Sequence, residues 1–392
     1  MAGRALCAAA VAAAAIVAAG CGGDDEGKKA PSGPLTVYVS VPAHGDQAPA
    51  GRAVEAGARL ALRDAGGRAG GRTVRLVRMA SNRPGDRDWD PGTVEANAKR
   101  AADDPRAIAY LGEVDRGASA VSVPRTNRAD LLQVSPLDGL TSLTRRPPGR
   151  PRAGPERYYP DERRSFLRLV PPDARIAREM VALARPARGR RIALVDTPDF
   201  SPRELGAVLD AQLRRRGVVP VEHLLLKDDA DGVPDKVRDL AAVRPQVVLV
   251  SGEPGPVTTA LLAELARQLP RARVVASPAL AVTAGEGSGA TAVTPVLPAA
   301  AQSGGGRRVL RRLGGAGRPE ALYGYDAMDA VLGAVREGGG DRRAVTRAAL
   351  APVDRRGVTG RMRQVRSGDV IRGRVALVPL DGGSPRVRPL GP

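Results

Sequence analysis

Short apolar runs alternate along the chain with segments in which apolar residues recur at helical spacing. After the run 35–41, the pattern predicts a helix that begins at about Gly51, with Val54, Ala58 and Leu62 on its buried face. Such alternation is typical of α/β proteins with parallel sheets. The predicted strands are Leu35–Val41, Thr73–Met79, Ala107–Leu111, Leu131–Ser135, Arg191–Val195, Val218–Leu225, Gln246–Val250, Arg273–Ala276 and Val293–Leu297.

A segment rich in proline and arginine, 145–164, interrupts this pattern, and a second α/β series starts near Phe166. Prolines break both helices and inner strands, so we expect the segment to be an irregular surface excursion. No sequence repeat is visible, but the strand–helix architecture occurs twice. The sequence therefore predicts two similar α/β lobes.

Three local signals make sharper predictions. Asp90 followed by Pro91 is typical of an N-cap and the first position of a helix. The tetrad 201–204, Ser-Pro-Arg-Glu, predicts a capping box at the start of another helix. The segment 358–379 predicts a hairpin that turns at 367–369.

The first residues have the layout of a secretory signal peptide. Arg4 precedes the apolar run 5–19, which is shorter than the roughly 20 residues that a spanning helix needs. Ala18-Ala19-Gly20-Cys21 resembles the bacterial lipobox, which predicts lipidation of Cys21 and a membrane anchor. The alternative is an ordinary secretory signal with a chance cysteine. We expect 1–20 to be a signal peptide and 21–34 a flexible tether.

The charge balance leaves two interpretations open. The 392 residues include 61 Lys and Arg against 42 Asp and Glu, which gives a net charge of +19, carried mostly by arginine. This charge suits an anionic envelope polymer or nucleic acid as a partner, or it reflects the arginine-rich codon usage of a GC-rich genome. Aromatic residues do not interleave the arginines as base stacking requires, so we expect no nucleic acid partner.

Enzymatic chemistry finds little support in the sequence. The two cysteines are Cys7, in the predicted signal, and Cys21, and the two histidines, His44 and His223, are far apart, so we expect no metal site. Neither a nucleophile elbow nor a phosphate-binding loop is present, and the glycine-rich loop 285–290 lacks the strand that a dinucleotide fingerprint needs. The prediction is a binding protein without cofactor or catalytic activity.

Several segments, in this order and spacing, resemble the type I periplasmic binding proteins of the branched-chain amino acid (leucine/isoleucine/valine) binding family. They are 57–62 with 70–74, 108–112 with Ser119 and Pro124, 134–136, 166–173, 323–330, and 357–360 with 368–369. The resemblance covers nearly all of residues 35–380.

The resemblance implies two doubly wound parallel-sheet lobes joined by a hinge of three strands. The implied ranges are 35–165 plus 281–356 for the first lobe and 166–280 plus 357–388 for the second. It also implies an exported monomer, anchored at the outer face of the cytoplasmic membrane. This monomer would capture a small polar solute, an amino acid or related compound, for an ABC-type importer. The alternative function is a ligand sensor or interaction lipoprotein that uses the same two lobes without a transporter.

The expected binding crevice lies where parallel strands end and helices begin, because backbone N–H groups are unpaired there. In the first lobe, Glu113, Asp115 and Ser119 follow the third strand, and Ser119 matches the family's hydroxyl for an amino acid carboxylate or else caps its helix. His44 follows the first strand, as a ligand contact or an exposed loop residue.

The next strand end departs from the family pattern. Leu137, Asp138 and Gly139 stand where the family usually has small residues and a Thr or Ser, so the identity of the ligand is open. Asp138 either binds a cationic group or caps a turn.

Three further candidates come from the second lobe. Phe200 matches an aromatic that covers the ligand in the family, or else packs in the core. Glu253 and Ser277 each follow a strand, and Glu253 either pairs with a ligand ammonium or lies exposed in its loop.

Overall fold

The structure of the protein is a computed structural model. It contains two large β-sheets in which most strands run parallel. It describes residues 33–391 except 188, 283–287 and 315–316. Cys21, the predicted signal 1–20, almost all of the tether 21–34 and the first half of the loop 285–290 lie outside the described residues. In the described part, no helix combines the length and apolar character that crossing a membrane requires.

The first sheet has six strands in the order β2-β3-β1-β4-β5-β6, of which all but the short β2 run parallel. Its inner strand β1 is buried at every position, including Thr36 and Ser40, as expected of a parallel strand covered on both faces. The strands are β1 (Leu35–Val41), β2 (Arg68–Ala69), β3 (Arg72–Ala80), β4 (Ala107–Leu111), β5 (Leu132–Ser135) and β6 (Phe166–Arg168).

Within the described residues, six α-helices accompany the first sheet. The longest two, α1 and α9, pack against each other at glycines: a Cβ on Gly57 or Gly324 would lie within 2.0 Å of the facing helix backbone. Only glycine permits so close an approach. The helices are α1 (Ala48–Asp64), α2 (Pro91–Asp103), α3 (Ser119–Arg128), α8 (Gly304–Leu313), α9 (Glu320–Gly338) and α10 (Arg342–Ala349).

The second sheet has seven strands in the order β15-β14-β11-β10-β9-β7-β8, with β14 and β15 antiparallel to their neighbours. Helices α4 and α5 cover one face, and α6 and α7 cover the other, each over its own apolar cluster. The elements are α4 (Asp173–Ala184), β7 (Ile192–Asp196), α5 (Phe200–Arg214), β8 (Glu222–Leu225), α6 (Val233–Ala242), β9 (Val247–Ser251), α7 (Pro256–Gln268), β10 (Arg273–Ala276), β11 (Thr291–Thr294), β14 (Arg374–Pro379) and β15 (Arg386–Pro389).

The two-lobed α/β architecture predicted from the sequence is confirmed, but the lobe ranges need correction. Strand β6 pairs within the first sheet, β11 pairs within the second, and Met362 and Val370 pack in the first lobe's core. Each of the three crossings therefore lies further along the chain than predicted, because β6, β11 and the segment 360–370 stay with the lobe that the chain leaves next. The ranges that need this correction are those predicted from the sequence: 35–165 plus 281–356 for the first lobe and 166–280 plus 357–388 for the second.

Local sequence signals predicted a helix start correctly where the contacts of the capping residue lie within one lobe. The Asp90 side chain accepts a hydrogen bond from the Thr93 N–H at 2.7 Å, so the predicted N-cap is confirmed. The predicted capping box at 201–204 is wrong. Helix α5 begins at Phe200, and Glu204 Oε1 instead accepts a hydrogen bond from the buried N–H of Ser142 in the first lobe, at 3.0 Å.

The predicted hairpin over 358–379 is also wrong. Strand β13 (Gly360–Gln364) pairs with β12 (Val353–Gly357), and β14 joins the second sheet. Only a short pairing forms around the expected turn: Gln364 bridges Val370, and the N–H groups of Val365 and Ile371 donate to the carbonyls of Asp369 and Arg363. The turn is held in the first lobe because Asp369 accepts a hydrogen bond from Thr144 at 2.7 Å.

The segment 145–164 has little regular structure, as expected, but it is not purely superficial. Tyr158 and Tyr159 are buried against the first lobe. A Cβ on Gly149 would lie 2.6 Å from the Ala207 carbonyl oxygen of α5, so the segment also contacts the second lobe closely. This excursion therefore joins the two lobes on one side.

Candidate functional site

A cleft of about 350 Å³ lies between the two lobes, and we call it the interlobe cleft. Asp115 and Leu137 line it from the strand ends of the first lobe, and Glu253 and Pro278 from those of the second. One wall is apolar, with Leu137 continued by Val170, Val296 and Leu297. A concave site of this size with an apolar wall and a few converging charges is typical of small-molecule binding.

Arg116 joins the two lobes through ion pairs at the cleft. It belongs to the turn before α3, and its guanidinium pairs with Asp173 at the start of α4 and with Glu253 Oε1 at 3.6 Å. Although burial acts to lower it, the charges of Asp173 and Glu253 raise the pKa of Arg116 above its ordinary value. The guanidinium therefore stays charged and connects the facing lobes.

Asp115 is a buried carboxylate in the wall of the cleft. Its side chain accepts one hydrogen bond, from Ser81 Oγ to Oδ2 at 3.2 Å, and Oδ1 has no donor among the described residues. Burial, followed by the charges of Asp88 and Glu113, raises the pKa of Asp115 well above its ordinary value. The site thus contains an acceptor that lacks its partner.

A second, smaller cavity of about 200 Å³ continues the cleft past Arg116. Asp88 and Trp89 line it from the first lobe, and Asp199 and Phe200 from the second. The Phe200 ring is 43% exposed and faces the first lobe, since a Cβ on Gly117 would lie 3.4 Å from it. Phe200 is therefore placed as a wall residue rather than in the core.

Two sequence-predicted site residues, Asp138 and Ser119, have their side-chain oxygens engaged inside the first lobe. The Asp138 carboxylate accepts hydrogen bonds from the N–H groups of Gly117 and Ser119, at 3.1 Å each, and of Leu140 at 3.0 Å. The Ser119 hydroxyl accepts one from the Glu113 N–H at 3.2 Å. The protein's own carboxylate thus occupies the N–H groups of Gly117 and Ser119, and those of Ala120 and Val121 donate to backbone carbonyls.

Glu113 lies beneath the cleft and is fully buried. Its Oε1 accepts a hydrogen bond from the Tyr110 hydroxyl at 2.6 Å. Burial raises the pKa of Glu113 to about 7, although the hydrogen bond from Tyr110 opposes the shift. Glu113 supports the turn that carries Asp115 and Arg116, and it does not line the interlobe cleft.

The remaining predicted residues have local roles. Gly139 lets α4 approach, because a Cβ there would lie 2.3 Å from Asp173 Oδ1. The Ser277 hydroxyl donates to the Gly252 carbonyl at 2.6 Å and so ties two strand ends together. His44 is half-buried, and its backbone carbonyl accepts a hydrogen bond from Asn82 at 2.9 Å. The structure therefore brings Asp115, Leu137, Phe200 and Glu253 together around the cleft, but not these three.

Sequence reasoning missed Asp88, Trp89 and Arg116. Trp89 is the only tryptophan of the chain, and it follows β3 at the edge where ligands bind in such sheets, so its rarity was a usable signal. Arg116 carried no such signal, because arginine is abundant throughout the chain.

The fold and the cleft define a class: two-lobed α/β proteins that enclose a small molecule between strand ends. A family model described as periplasmic binding protein matches residues 34–384. The chain belongs to the periplasmic binding protein family. No significant match is found among curated proteins.

Solved structures resemble the chain over most of its length. A solute-binding protein of an ABC transporter from R. palustris, in complex with benzoate, has a TM-score of 0.72 and 18% identity, covering 91% of this chain and 96% of that one. A leucine binding protein from Thermotoga maritima has the same TM-score, 0.72, and 18% identity, covering 91% and 99%. A substrate-binding protein from Desulfitobacterium hafniense in complex with Leu has a TM-score of 0.69 and 17% identity, covering 91% and 100%.

Proposed function

We propose that this protein is an extracytoplasmic, non-enzymatic receptor that captures a small polar solute in the interlobe cleft and delivers it to an ABC-type importer. The observation that carries the proposal is the cleft itself, which strand ends of both lobes line and which Arg116 spans. The solute class is an amino acid or a related compound. Structural relatives in complex with Leu and with benzoate support a solute of this size.

Capture follows from the difference between an open and a closed arrangement of the lobes. A solute that contacts Leu137 on one lobe and Glu253 on the other gains both contacts only when the lobes are close together. Closure is favoured by as much free energy as the solute gains in the closed arrangement over the open one. The closed form is then the one that the importer recognises.

A thermal-shift and calorimetric screen of the full chain in detergent tests the binding step. A solute present at 100 times its dissociation constant adds about 2.7 kcal/mol to the free energy of unfolding. Leu137→Trp, which fills the cleft, should abolish the shift. Leu225→Trp, on the exposed edge strand β8, should leave it unchanged. A solute that still binds the Leu137→Trp variant would place binding elsewhere and contradict the proposal.

The membrane anchor and the importer are separate parts of the proposal. We propose that lipid on Cys21 holds the protein, as a monomer, at the outer face of the cytoplasmic membrane. The variant Cys21→Ala should release the protein from the membrane fraction, and its retention there would contradict the anchor. A permease and an ATPase encoded beside the gene would support import, whereas a histidine kinase there would favour the sensor alternative.

A further inference from the structure

The interlobe cleft is acidic although the protein as a whole carries a net charge of +19. Asp88, Asp115, Asp199 and Glu253 line the cleft and its smaller continuation. An arginine-rich composition makes such a local reversal of charge unexpected. The cleft therefore has an electrostatic character of its own, and clefts lined by one sign of charge concentrate ligands of the other sign.

The arginines that line the cleft form an ion pair with only one of these four acids, Glu253. Arg116 is shared between Glu253 and Asp173. Arg318 pairs with Glu320 at 3.2 Å. For Asp88, Asp115 and Asp199, the described residues provide no lysine or arginine within ion-pair distance. Three carboxylates thus remain without a cationic partner, two at the small cavity and Asp115 in the wall of the cleft.

The strongest sign of a missing partner is Asp115 Oδ1. The residue is 5% exposed, its Oδ1 has no hydrogen-bond donor among the described residues, and it lines the cleft. A buried acceptor without a donor is costly, so such atoms in a folded protein call for an explanation. An N–H group of a ligand in the cleft would supply the missing hydrogen bond.

A ligand carboxylate, by contrast, finds no free donors at the neighbouring helix. Asp138 already occupies the N–H groups of Gly117 and Ser119 at the start of α3. Arg116, the nearest guanidinium, already has two carboxylate partners. A carboxylate placed here would face Asp115 and Glu253 at close range, which is electrostatically unfavourable.

A metal ion does not fit these acids, because no group of three or more His, Cys, Asp or Glu side chains in the described part of the chain is arranged to hold one. The apolar wall at Leu137, Val296 and Leu297 suits an organic body instead. Trp89 and Phe200 lie beside Asp88 and Asp199, and aromatic faces also attract organic cations.

We propose that the solute is an organic cation, an amine or guanidine on a compact apolar body without a carboxylate, whose N–H group binds Asp115 Oδ1. The inference rests on the proposed function, since it names the solute class of the same cleft. It narrows that class from amino acids to their decarboxylated counterparts.

Matched compounds test this choice by calorimetry on the full chain. Phenethylamine and agmatine are the amine probes, phenylalanine and arginine add a carboxylate to each, and 3-phenylpropionate has the carboxylate alone. We expect the amines to bind at least about tenfold more tightly than their zwitterionic partners. Asp115→Asn, which keeps the shape and removes the charge, should weaken amine binding at least about tenfold.

Two variants control this result. Asp103→Asn, at the exposed end of α2 away from the cleft, should bind as the unchanged protein does. Asp88→Asn, at an exposed position of the cleft, should weaken amine binding even if Asp115→Asn fails to fold.

The outcomes separate the two proposals. Tighter binding of the carboxylates or zwitterions overturns the cation inference and leaves the solute-binding function standing. Amine binding that neither Asp115→Asn nor Asp88→Asn weakens also overturns the inference alone. If no probe of either series binds, and no compound of the wider thermal-shift screen does, both proposals fail.

Discussion

Asp369 and Asp115 are both buried acidic residues near the junction of the lobes, but their surroundings are opposite. Asp369 accepts hydrogen bonds from Thr144 and Ser367 and pairs with Arg145 and Arg168. Asp115 has one donor, Ser81, for its two oxygens. The first carboxylate is saturated by the protein, and the second is left with an open position.

Their acidities reflect this difference. Although burial opposes the shift, Arg168 and Arg145 hold the pKa of Asp369 below its ordinary value. Burial and the nearby acids raise the pKa of Asp115. A carboxylate that supports the fold is stabilised by its partners before any ligand arrives, whereas one reserved for a ligand is not. Asp369 is therefore a structural acid, whereas Asp115 is the acid that we propose to bind the solute.

The largest effect is expected where the saturated carboxylate is removed. Asp369→Asn leaves the fully buried Arg168 without its charge partner, so we expect a loss of about 3 kcal/mol or more in the free energy of unfolding. Urea unfolding followed by circular dichroism measures it. Asp381→Asn, at an exposed turn, is the control and should change little. A loss below about 1 kcal/mol would mean that Arg168 is satisfied without Asp369.

Glu113 is a third buried acid, and its raised pKa makes the free energy of unfolding depend on pH. Its pKa is about 7 in the folded protein against 4.5 ordinarily, so between these values the folded state binds more protons than the unfolded state. The free energy of unfolding therefore falls as pH rises from about 4.5 to about 7, by at most about 3 kcal/mol from this group. Glu113→Gln, which keeps an acceptor for Tyr110, should flatten that decline when unfolding is measured across the range.

Glu204 is a second buried acid that contributes to the same pH dependence of stability. Burial raises its pKa to about 7 as well, and Ser142 of the other lobe donates to it. Glu113→Gln alone should therefore leave part of the decline, and the double variant with Glu204→Gln should remove more of it. An unchanged slope in the single variant would show that Glu113 keeps its ordinary acidity.

Much of the fold could be predicted because strands in the interior of a sheet are buried and therefore appear in the sequence as short apolar runs. The strands Leu35–Val41 and Ala107–Leu111 have the predicted bounds, since both are predominantly apolar and buried at every position. The capping box at 201–204 failed for the opposite reason. Glu204 finds its partner in Ser142, which is distant in sequence and belongs to the other lobe.

The sequence predicted which residues of the site lie at strand ends, but not which side chains and backbone groups they contact. Position after a strand was enough to select Asp115, Leu137 and Glu253, which line the cleft. It could not show that Asp138 occupies the N-terminus of α3, nor that Arg116 spans the lobes. Both facts depend on side chains that the fold brings together from separate loops.

The smallest expected effect tests directly whether Asp115 differs from Asp369 in its contribution to stability. Without solute at pH 8, Asp115→Asn should leave the free energy of unfolding unchanged or raise it by up to about 1 kcal/mol, because it removes a buried carboxyl group that has no cationic partner among the described residues. The same substitution at Asp369 should be strongly destabilising. Urea unfolding of both variants side by side checks the pair. A loss at Asp115 as large as that at Asp369 would make Asp115 a structural acid and remove the distinction on which the cation site depends.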